Sequence, residues 1–366
     1  MRLPAFFLTC LWSIAAHAGD LQLTLPPVVY AVPEATISIY HDNIVLTQKP
    51  EEYRFEFTCD VGKSEAKRWS VTATDKDVGD HSLEVVIRDG KGAEVERGKT
   101  TLHVSPRNAG EGKSLRMLIV GDSLTHGSVY PNEIFRRMSL PGNPKVTLLG
   151  THKPSAAKPG VAHEGYGGWK WSDFLTKYAP ATATDVAGPL AKKTTSPFLF
   201  PSQDGKTGVF DLNRYFRESC DGVPPDVVTF LLGINDCFAT NPDNPDQRIT
   251  DVLTSAEKLL AEFRKAAPNA KLAIGITTAP NARQEAFTAN YKDKYPRWGW
   301  KRIQHRLVQR MLTQLGGLER ENIYLVPTEL NLDPEDGYPA NNAVHPNSAG
   351  YAQIGTSFYA WLKAQY

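Results

Sequence analysis

This chain has little excess charge of one sign, few cysteines and few long apolar runs. Each of these shortages excludes a class of protein. The 366 residues carry 41 Lys and Arg against 40 Asp and Glu, a formal net charge of +1. A chain so balanced lacks the basic surface with which proteins bind nucleic acid or anionic membranes. Because 41% of its residues are hydrophobic, it can still bury an ordinary core, and we expect a soluble globular protein.

Cysteine is too rare here to support a disulfide framework. Of four cysteines, Cys10 lies in the N-terminal apolar segment, which leaves Cys59, Cys220 and Cys237. Three is an odd number. Cys220 and Cys237 bracket a predicted strand, so their Cα atoms would lie further apart than the ~7 Å that a disulfide allows. We therefore predict that all three thiols are free.

An apolar run at the N-terminus is too short to span a membrane, which takes ~20 residues. It covers residues 5–16 behind one positive charge, and Ala16-His17-Ala18 fits the small-x-small rule for cleavage. We interpret residues 1–18 as a signal peptide and expect a secreted or periplasmic protein. No later segment is apolar enough to cross a membrane, so we expect no membrane span.

Hydrophobic patterning divides the remaining chain in two. Residues 19–105 contain short alternating stretches separated by turn signals, which predicts an immunoglobulin-like β-sandwich. Residues 106–114 are polar and glycine-rich and predict a linker. Over residues 115–366 apolar strands alternate with amphipathic helices, which predicts a parallel sheet with helices on both faces. A long insertion, residues 179–226, is rich enough in aromatic residues to predict an ordered wall rather than disorder.

Regular elements follow from the same periodicities. The strands predicted in the second part are Arg116–Val120, Val146–Gly150, Val227–Leu232, Leu272–Thr277 and Ile323–Val326. The helices predicted there are Pro131–Met138, Trp171–Tyr178, Ile249–Ala267, Pro296–Leu315 and Ser348–Gln365.

Four short segments of this second part carry the residue types that ester hydrolysis by a serine nucleophile needs. In an open parallel sheet the ligand site lies beyond the carboxyl ends of the strands, and Ser123 and Asn235 each follow a predicted strand at that edge. The segments are Gly121-Asp122-Ser123-Leu124, Glu164-Gly165-Tyr166-Gly167-Gly168-Trp169, Gly233-Ile234-Asn235-Asp236 and Asn342-Ala343-Val344-His345-Pro346-Asn347.

Each of these residues also has a purely structural interpretation. Ser123 fits a helix N-cap, Gly168 a turn, Asn235 the end of a strand, and His345 a structural histidine. The catalytic interpretation rests on the four together. Ser123 is then the nucleophile and His345 the general base. The N–H groups of Ser123 and Gly168 and the side-chain amide of Asn235 are then the oxyanion donors.

Taken together, the four segments resemble the SGNH hydrolase superfamily, also called GDSL esterases, which is named for a Ser, Gly, Asn and His in this order. The resemblance covers residues 115–366 and implies a flavodoxin-like three-layer fold, ester hydrolysis and no cofactor. We identify no metal site. Which glycine of residues 165–168 donates to the oxyanion stays open. The insertion and the β-sandwich resemble bacterial carbohydrate esterases that deacetylate polysaccharides.

One position departs from the family pattern. Members usually carry an aspartate three residues before the histidine, where it orients the imidazole and stabilises its charged form. Asn342 occupies that position here and carries no charge. We expect a Ser–His dyad whose ring is held by a backbone carbonyl. Asn342 itself and the carboxylates of Asp336 and Glu335 are the alternatives.

The expected function is therefore an exported serine esterase that cleaves small acyl esters, most plausibly O-acetyl groups, on a carbohydrate. The sugar preference rests on export, on the β-sandwich and on tryptophans whose faces suit sugar rings. A lipid or aryl esterase on the same scaffold is one alternative. A carbohydrate-binding protein with a decayed site, to which Asn342 points, is the other. The tryptophans in question are Trp169, Trp171, Trp298 and Trp300.

Overall fold

A computed structural model describes residues 21–180 and 194–366 of the chain. The predicted signal peptide, residues 1–18, lies outside the described residues, as do residues 181–193 of the insertion. The strands are β1 (Val28–Ala31), β2 (Thr36–Tyr40), β3 (Arg54–Thr58), β4 (Lys63–Ser64), β5 (Arg68–Thr72), β6 (Gly79–Arg88), β7 (Glu94–Val104), β8 (Ser114–Gly121), β9 (Lys145–Leu149), β10 (Glu164–Gly165), β11 (Leu199–Pro201), β12 (Gly208–Phe210), β13 (Val227–Leu231), β14 (Lys271–Gly275) and β15 (Ile323–Val326).

Helices connect most of the later strands. They are α1 (His41–Ile44), α2 (Ser123–His126), α3 (Val129–Met138), α4 (Trp171–Thr176), α5 (Leu212–Ser219), α6 (Ile234–Cys237), α7 (Asp246–Ala266), α8 (Gln284–Tyr291), α9 (Arg297–Leu315), α10 (Thr328–Asn331) and α11 (Ser348–Lys363). Short 3₁₀ turns occur at Pro50–Glu52, Asp75–Asp77 and Glu319–Glu321.

A six-stranded parallel sheet organises the second part of the chain. Its order is β9-β8-β13-β14-β15, and the short β10 pairs with the end of β8. Numbered along the chain, the five main strands follow the order 2-1-3-4-5 of flavodoxin-like folds. Thr229 of β13 pairs with Ile119 of β8 and with Ala273 of β14. All of β13 is buried, because a strand that is apolar apart from Thr229 suits a sheet that helices cover on both faces.

Two groups of helices flank this sheet. In one group α3 packs on α11, which also contacts α10; in the other, α7 contacts α4, α5 and α9. Every strand and helix predicted for the second part is present, with ends shifted by a turn or less. The α/β architecture with a parallel central sheet is therefore confirmed.

Two smaller sheets form the N-terminal part. One has the order β1-β7-β6-β3 and the other β2-β5-β4. β1 runs parallel to β7, whereas the other pairings are antiparallel. Alternate residues of β6, Leu83, Val85 and Ile87, are buried, as a strand with one covered face requires. The immunoglobulin-like topology and the domain boundaries stay predictions, although β8 already includes Ser114 at the end of the predicted linker.

Buried polar contacts join the N-terminal strands to the α/β part. Asn43 Nδ2 donates to the carbonyl oxygens of Glu329 and Leu332, both at 2.7 Å. The Ser38 N–H donates to Asn331 Oδ1 at 2.8 Å. Buried amide and carbonyl groups are costly to leave unpaired, so these bonds fix how the two parts meet.

Cys59, Cys220 and Cys237 are free thiols in the structure. Within residues 21–180 and 194–366, none of the helices combines the length and the apolar character that crossing a membrane requires.

Candidate active site

Ser123 begins α2 directly after β8, at the carboxyl edge of the sheet. Asp122 caps this helix, and its Oδ1 accepts a hydrogen bond from the Leu124 N–H at 2.9 Å. Gly121 allows the tight turn, because a Cβ there would collide with the Thr125 side chain. The turn from a buried strand into a short helix therefore presents the Ser123 hydroxyl at the edge where parallel sheets bind ligands.

His345 lies within hydrogen-bond distance of the candidate nucleophile. Its Nε2 is 2.9 Å from Ser123 Oγ, although the two residues are 222 positions apart. On the opposite side of the ring, Nδ1 lies 3.2 Å from Asn342 Oδ1. A serine, a histidine and an asparagine therefore form one hydrogen-bonded line.

The Asn342 contact determines which nitrogen of His345 carries the proton. Asn342 Oδ1 also accepts hydrogen bonds from the backbone N–H groups of His345, at 2.9 Å, and Val344, at 3.3 Å. Two N–H donors can only be satisfied by the amide oxygen, so this oxygen also faces the ring. Nδ1 must then carry the hydrogen, which leaves the lone pair of Nε2 free to accept the hydroxyl proton of Ser123.

The expectation of a backbone carbonyl behind the ring was wrong, because the acceptor is the Asn342 side chain. Asp336 does not reach the ring either. Its side chain is 89% exposed and lies 3.8 Å from Arg283. Glu335 pairs with Lys67 at 2.5 Å. Among the described residues, neither carboxylate hydrogen-bonds to the ring of His345.

Burial lowers the pKa of His345 below its usual value. Desolvation disfavours the charged imidazolium, and no carboxylate among the described residues hydrogen-bonds to the ring to oppose it. The neutral ring, which is the form that can act as a base, is therefore favoured to a lower pH than in a free histidine.

Two asparagines that the sequence analysis did not single out hold the loop of residues 339–345. Asn281 Nδ2 donates to the carbonyl oxygen of Asn342 at 2.9 Å. Asn290 Oδ1 accepts from the Ala343 N–H at 2.7 Å. Both asparagines come from the segment between β14 and α9, far from the loop in sequence. Asn281 lies in a loop and Asn290 in α8, and a single asparagine in either setting carries no pattern that marks it as a partner of a distant loop.

The three glycines of the second segment, Gly165, Gly167 and Gly168, have different environments in the structure. The Gly165 N–H donates to His163 Nδ1 at 3.1 Å, and a Cβ on Gly165 would lie 2.5 Å from the Thr125 side chain. Gly165 therefore faces the interior. Gly167 and Gly168 have open space around them, and within the described residues neither N–H has an acceptor. Gly168 alone has a positive φ, +80°, a conformation that glycine adopts without strain.

Asn235 follows β13 at the same edge and connects three of the segments. Its Nδ2 donates to the carbonyl oxygen of Trp169 at 3.0 Å and lies 3.4 Å from Asp122 Oδ2. The contact with Asp122 is at the outer limit of a hydrogen bond. One amide hydrogen is therefore committed to the Trp169 carbonyl, and the other points toward the segment that contains Ser123.

Two buried carboxylates, Asp122 and Asp236, lie at this edge of the sheet. The sequence analysis gave neither of them a role. Burial, helped by the charge of Asp236, raises the pKa of Asp122 to about 7. Burial also raises the pKa of Asp236 to about 7, although Lys170 opposes the shift. An aspartate directly before a helix is a common N-cap, which is the signal that could have identified Asp122.

The insertion is packed against the second segment through buried Glu164. Glu164 Oε1 accepts from the Thr151 N–H and from the Tyr215 hydroxyl, both at 2.6 Å. Its Oε2 accepts from the hydroxyls of Thr151, at 3.1 Å, and Tyr166. Tyr215 belongs to α5 in the insertion, and Phe198 nearby is fully buried. Residues 194–226 thus agree with the predicted ordered wall.

The tryptophans expected to face a sugar are mostly core residues. Trp169, Trp171 and Trp300 are buried, and Trp298 is half-buried. The three buried rings pack against other aromatic side chains, for example Trp171 against Phe230 with ring centroids 5.5 Å apart. Trp169, Trp171 and Trp300 therefore give no support for a sugar substrate. The described residues also contain no group of three or more His, Cys, Asp or Glu side chains arranged to hold a metal ion.

Comparison with known proteins finds one family and several solved structures. The model of the GDSL-like Lipase/Acylhydrolase family matches residues 119–353. No curated protein matches the chain. A family 3 carbohydrate esterase of Clostridium thermocellum is 19% identical, with a TM-score of 0.42 over 68% of this chain and 94% of that chain. A family 3 carbohydrate esterase from Talaromyces cellulolyticus is 17% identical, with a TM-score of 0.41 over 69% and 97%. The acetyl xylan esterase AlAXEase is 13% identical, with a TM-score of 0.36 over 68% and 100%. The family match includes all four segments, from Ser123 to His345.

Proposed function

Because the chain belongs to the GDSL-like lipase/acylhydrolase family, within the SGNH hydrolases, we propose that it is an exported serine esterase that removes small acyl groups, chiefly O-acetyl groups, from a polysaccharide. Membership of this family makes the chain a carboxylic ester hydrolase. The size of the acyl group, the polysaccharide, the export and the roles of individual residues are the parts we propose.

The contact between Ser123 Oγ and His345 Nε2, 2.9 Å long, is the observation that carries the proposal. A serine hydroxyl becomes nucleophilic when a neighbouring base takes its proton. Nδ1 of the ring carries the hydrogen that Asn342 accepts, so Nε2 is the basic atom and faces the hydroxyl. This arrangement supports Ser123 as nucleophile and His345 as general base.

The reaction then follows in two halves. Ser123 Oγ attacks the ester carbonyl carbon while its proton passes to His345 Nε2, and a tetrahedral oxyanion forms. The intermediate collapses, the bond to the sugar oxygen breaks, and His345 returns the proton to that oxygen. Water next attacks the acyl-serine while His345 takes one of its protons. Collapse of the second intermediate releases the carboxylic acid, and the proton on His345 returns to Ser123 Oγ.

The N–H groups of Ser123 and Gly168 and the side-chain amide of Asn235, whose contact with Asp122 Oδ2 is long at 3.4 Å, are the proposed oxyanion donors. Gly168 fits because its N–H has no acceptor among the described residues and its surroundings are open. Asn235 fits because its bond to the Trp169 carbonyl fixes the amide. A donor held in advance costs no reorganisation when the negative charge develops, and each is typically worth ~3 kcal/mol.

Two features support a small acyl group and an external substrate. Asn235 is tied to Trp169, which packs against Tyr166 and Phe174 with ring centroids 4.7 and 4.9 Å away. This packed aromatic base leaves little freedom to open for a long acyl chain. The leader-like sequence of residues 1–18 supports export.

The test is hydrolysis of p-nitrophenyl esters over a series of acyl chain lengths, followed by acetate release from acetylated xylan and acetylated mannan. We expect kcat/KM to be highest for acetate and acetate release from at least one polymer. A maximum at eight carbons or more would favour a lipid esterase. No hydrolysis of any ester would favour a binding protein. N-terminal sequencing of the exported protein should begin at Gly19 if the leader is cleaved as proposed.

A further inference from the structure

A cleft of about 790 Å³ lies between the N-terminal strands and the α/β part, apart from Ser123 and His345. Tyr40 and Tyr53 line it from the N-terminal side. Ala282, Arg297 and residues 333–336 line it from the other side. Its volume falls within the ~300–1,000 Å³ of small-molecule sites. Neither part of the chain forms the cleft alone, so the way the two parts meet creates it.

Flat rings form one wall of this cleft. The ring of His41 stacks on Phe55 with centroids 4.1 Å apart and an angle of 9° between the planes. Burial lowers the pKa of His41 to about 4, so the stacked ring is neutral near pH 7. Tyr53 is half-buried beside this stack. His41 and Phe55 cover each other's faces and support the wall, so the ring that can meet the apolar C–H face of a sugar is that of half-buried Tyr53.

The cationic side chains around the cleft are already paired with carboxylates. Each of the four cationic side chains that line it contacts a carboxylate, so an anionic ligand would have to break an existing pair. A neutral ligand rich in hydroxyl groups can hydrogen-bond to both members of a pair and leave it intact. The pairs are Arg54–Glu56 at 3.1 Å, Lys67–Glu335 at 2.5 Å, Arg68–Glu65 at 2.8 Å and Arg297–Asp42 at 2.9 Å.

One wall of the cleft is continuous with the loop that carries His345. The Ala282 N–H donates to the Pro334 carbonyl at 2.7 Å. Asn347 Nδ2, two residues after His345, donates to the Asp336 carbonyl at 2.7 Å. A polymer seated in the cleft would therefore lie along a wall that is hydrogen-bonded to the catalytic loop.

From the cleft, its ring wall and its paired charges, we propose that this is a binding site for a neutral oligosaccharide segment of the polymer whose esters the enzyme cleaves. The proposal rests on the proposed function for the identity of the polymer. It gives the N-terminal strands a role, because they supply the aromatic wall that holds the chain while Ser123 acts on a neighbouring unit.

The test is isothermal titration calorimetry on the full chain carrying Ser123→Ala, so that no substrate is consumed. The three neutral probes are xylohexaose, mannohexaose and cellohexaose. At least one probe should bind, and adding Tyr53→Ala should weaken its binding at least ~10-fold. Tyr53→Leu keeps apolar volume but removes the ring face, and should weaken binding in the same way if Tyr53→Ala fails to fold. Tyr366→Ala removes an exposed tyrosine outside the cleft, and should leave binding unchanged.

In the chain with Ser123 intact, Tyr53→Ala should leave kcat/KM for p-nitrophenyl acetate within about twofold of wild type and raise KM for the acetylated polymer. The inference is overturned if no neutral probe binds, if Tyr53→Ala and Tyr53→Leu bind as tightly as their parent, or if hexagalacturonate binds more tightly than the neutral probes. Binding without ester hydrolysis in the wild type would overturn the proposed function alone. Hydrolysis without binding would overturn this inference alone.

Discussion

Asn342 Oδ1 lies 3.2 Å from His345 Nδ1, on the side of the ring that faces away from Ser123. The asparagine occupies the place and makes the hydrogen bond of the usual aspartate, but it brings no charge. It can therefore fix the orientation and the tautomer of the imidazole, while it cannot stabilise the imidazolium as a carboxylate would. An aspartate at this position would both orient the imidazole and stabilise its positive charge, whereas Asn342 can only orient it.

Asn342→Asp should add the missing charge while it keeps the geometry. A carboxylate beside the ring favours the imidazolium and raises the pKa of His345, which burial holds below its usual value in the wild type. Because the neutral ring is the base, kcat/KM falls as pH drops through this pKa. The acidic limb of the profile should therefore move to higher pH, by about one unit or more.

The measurement is kcat/KM for p-nitrophenyl acetate between pH 4 and 9, which reports groups of the free enzyme. The buried Asp122 and Asp236, whose pKa burial raises to about 7, also titrate in this range. They are common to both proteins, so the difference between the two profiles isolates His345. An acidic limb that stays in place or moves to lower pH would show that Asn342 does not face the ring in solution.

Asn342→Ala should lower kcat by about 10- to 100-fold, part of the ~10²–10⁴ that general acid–base catalysis contributes. The ring loses the acceptor of its Nδ1 hydrogen, and the loop loses the acceptor of two backbone N–H groups. His345→Ala should be more damaging, because the base itself is gone. Kinetics of both variants at pH 8 give the comparison. Equal losses in the two would mean that the asparagine does more than orient the ring.

Ser123→Ala should reduce kcat to below about 10⁻³ of the wild-type value, as loss of the nucleophile does in serine hydrolases. The fold should persist, because the hydroxyl contacts only His345 among the described residues. Ester hydrolysis and thermal unfolding are measured together. Ser255→Ala is the matched control, since its hydroxyl bonds only to the Asp251 carbonyl on α7. Activity of Ser123→Ala within tenfold of wild type would refute the assignment.

The glycine that donates to the oxyanion can be identified with three variants. Gly168→Ala should lower kcat/KM ~10-fold or more, because alanine disfavours φ of +80° and would move the N–H. Gly167→Ala should stay close to wild type, because its surroundings are equally open and its φ is ordinary. Gly165→Ala should instead lower the melting temperature, because its Cβ would press on Thr125. A larger kinetic effect at Gly167 than at Gly168 would reverse the assignment.

The α/β architecture could be predicted from the sequence because each strand and helix carries its own signal. β13 is apolar apart from Thr229, and the edge on which Ser123 and Asn235 lie follows from the rule for parallel sheets. The acceptor behind His345 could be narrowed only to several candidates, with Asn342 as an alternative to the expected backbone carbonyl. It depends on how the loop of residues 339–345 is folded, and Asn281 and Asn290 fix that loop from elsewhere in the chain.

The buried hydrogen-bond network around Glu164 could not be predicted from the sequence for a similar reason. The acceptor role of Glu164 is visible only once Tyr215, 51 positions away, is brought beside it. A single sequence gives no sign of which glutamate will be buried with such partners. The same holds for the cleft between the two parts of the chain, because its walls come from segments with no pattern in common.

The junction between those parts supplies the last prediction. Asp42 pairs with Arg297 at 2.9 Å and with Lys301, whose side chain is only 4% exposed. Asp42→Asn keeps the shape but leaves two cations in a poorly hydrated place. Removing one partner from a buried charge cluster typically costs ~3–5 kcal/mol, so the free energy of unfolding in urea should fall by about that amount. Glu262→Gln, which breaks the exposed pair with Lys265, is the control and should change stability by less than ~1 kcal/mol.

The loss of stability caused by Asp42→Asn should depend on pH, and the pKa of Asp42 sets the direction of that dependence. Burial alone would raise the pKa of Asp42, but Lys301 and Arg297 outweigh it and hold the pKa below its usual value. The stabilisation is therefore fully present above the unfolded pKa of ~3.9 and is lost as pH falls through the lower folded pKa. The gap in stability between wild type and Asp42→Asn should be constant from about pH 5 to 7 and should shrink below pH ~4. A gap that widens toward low pH would contradict an ionised Asp42 at this junction.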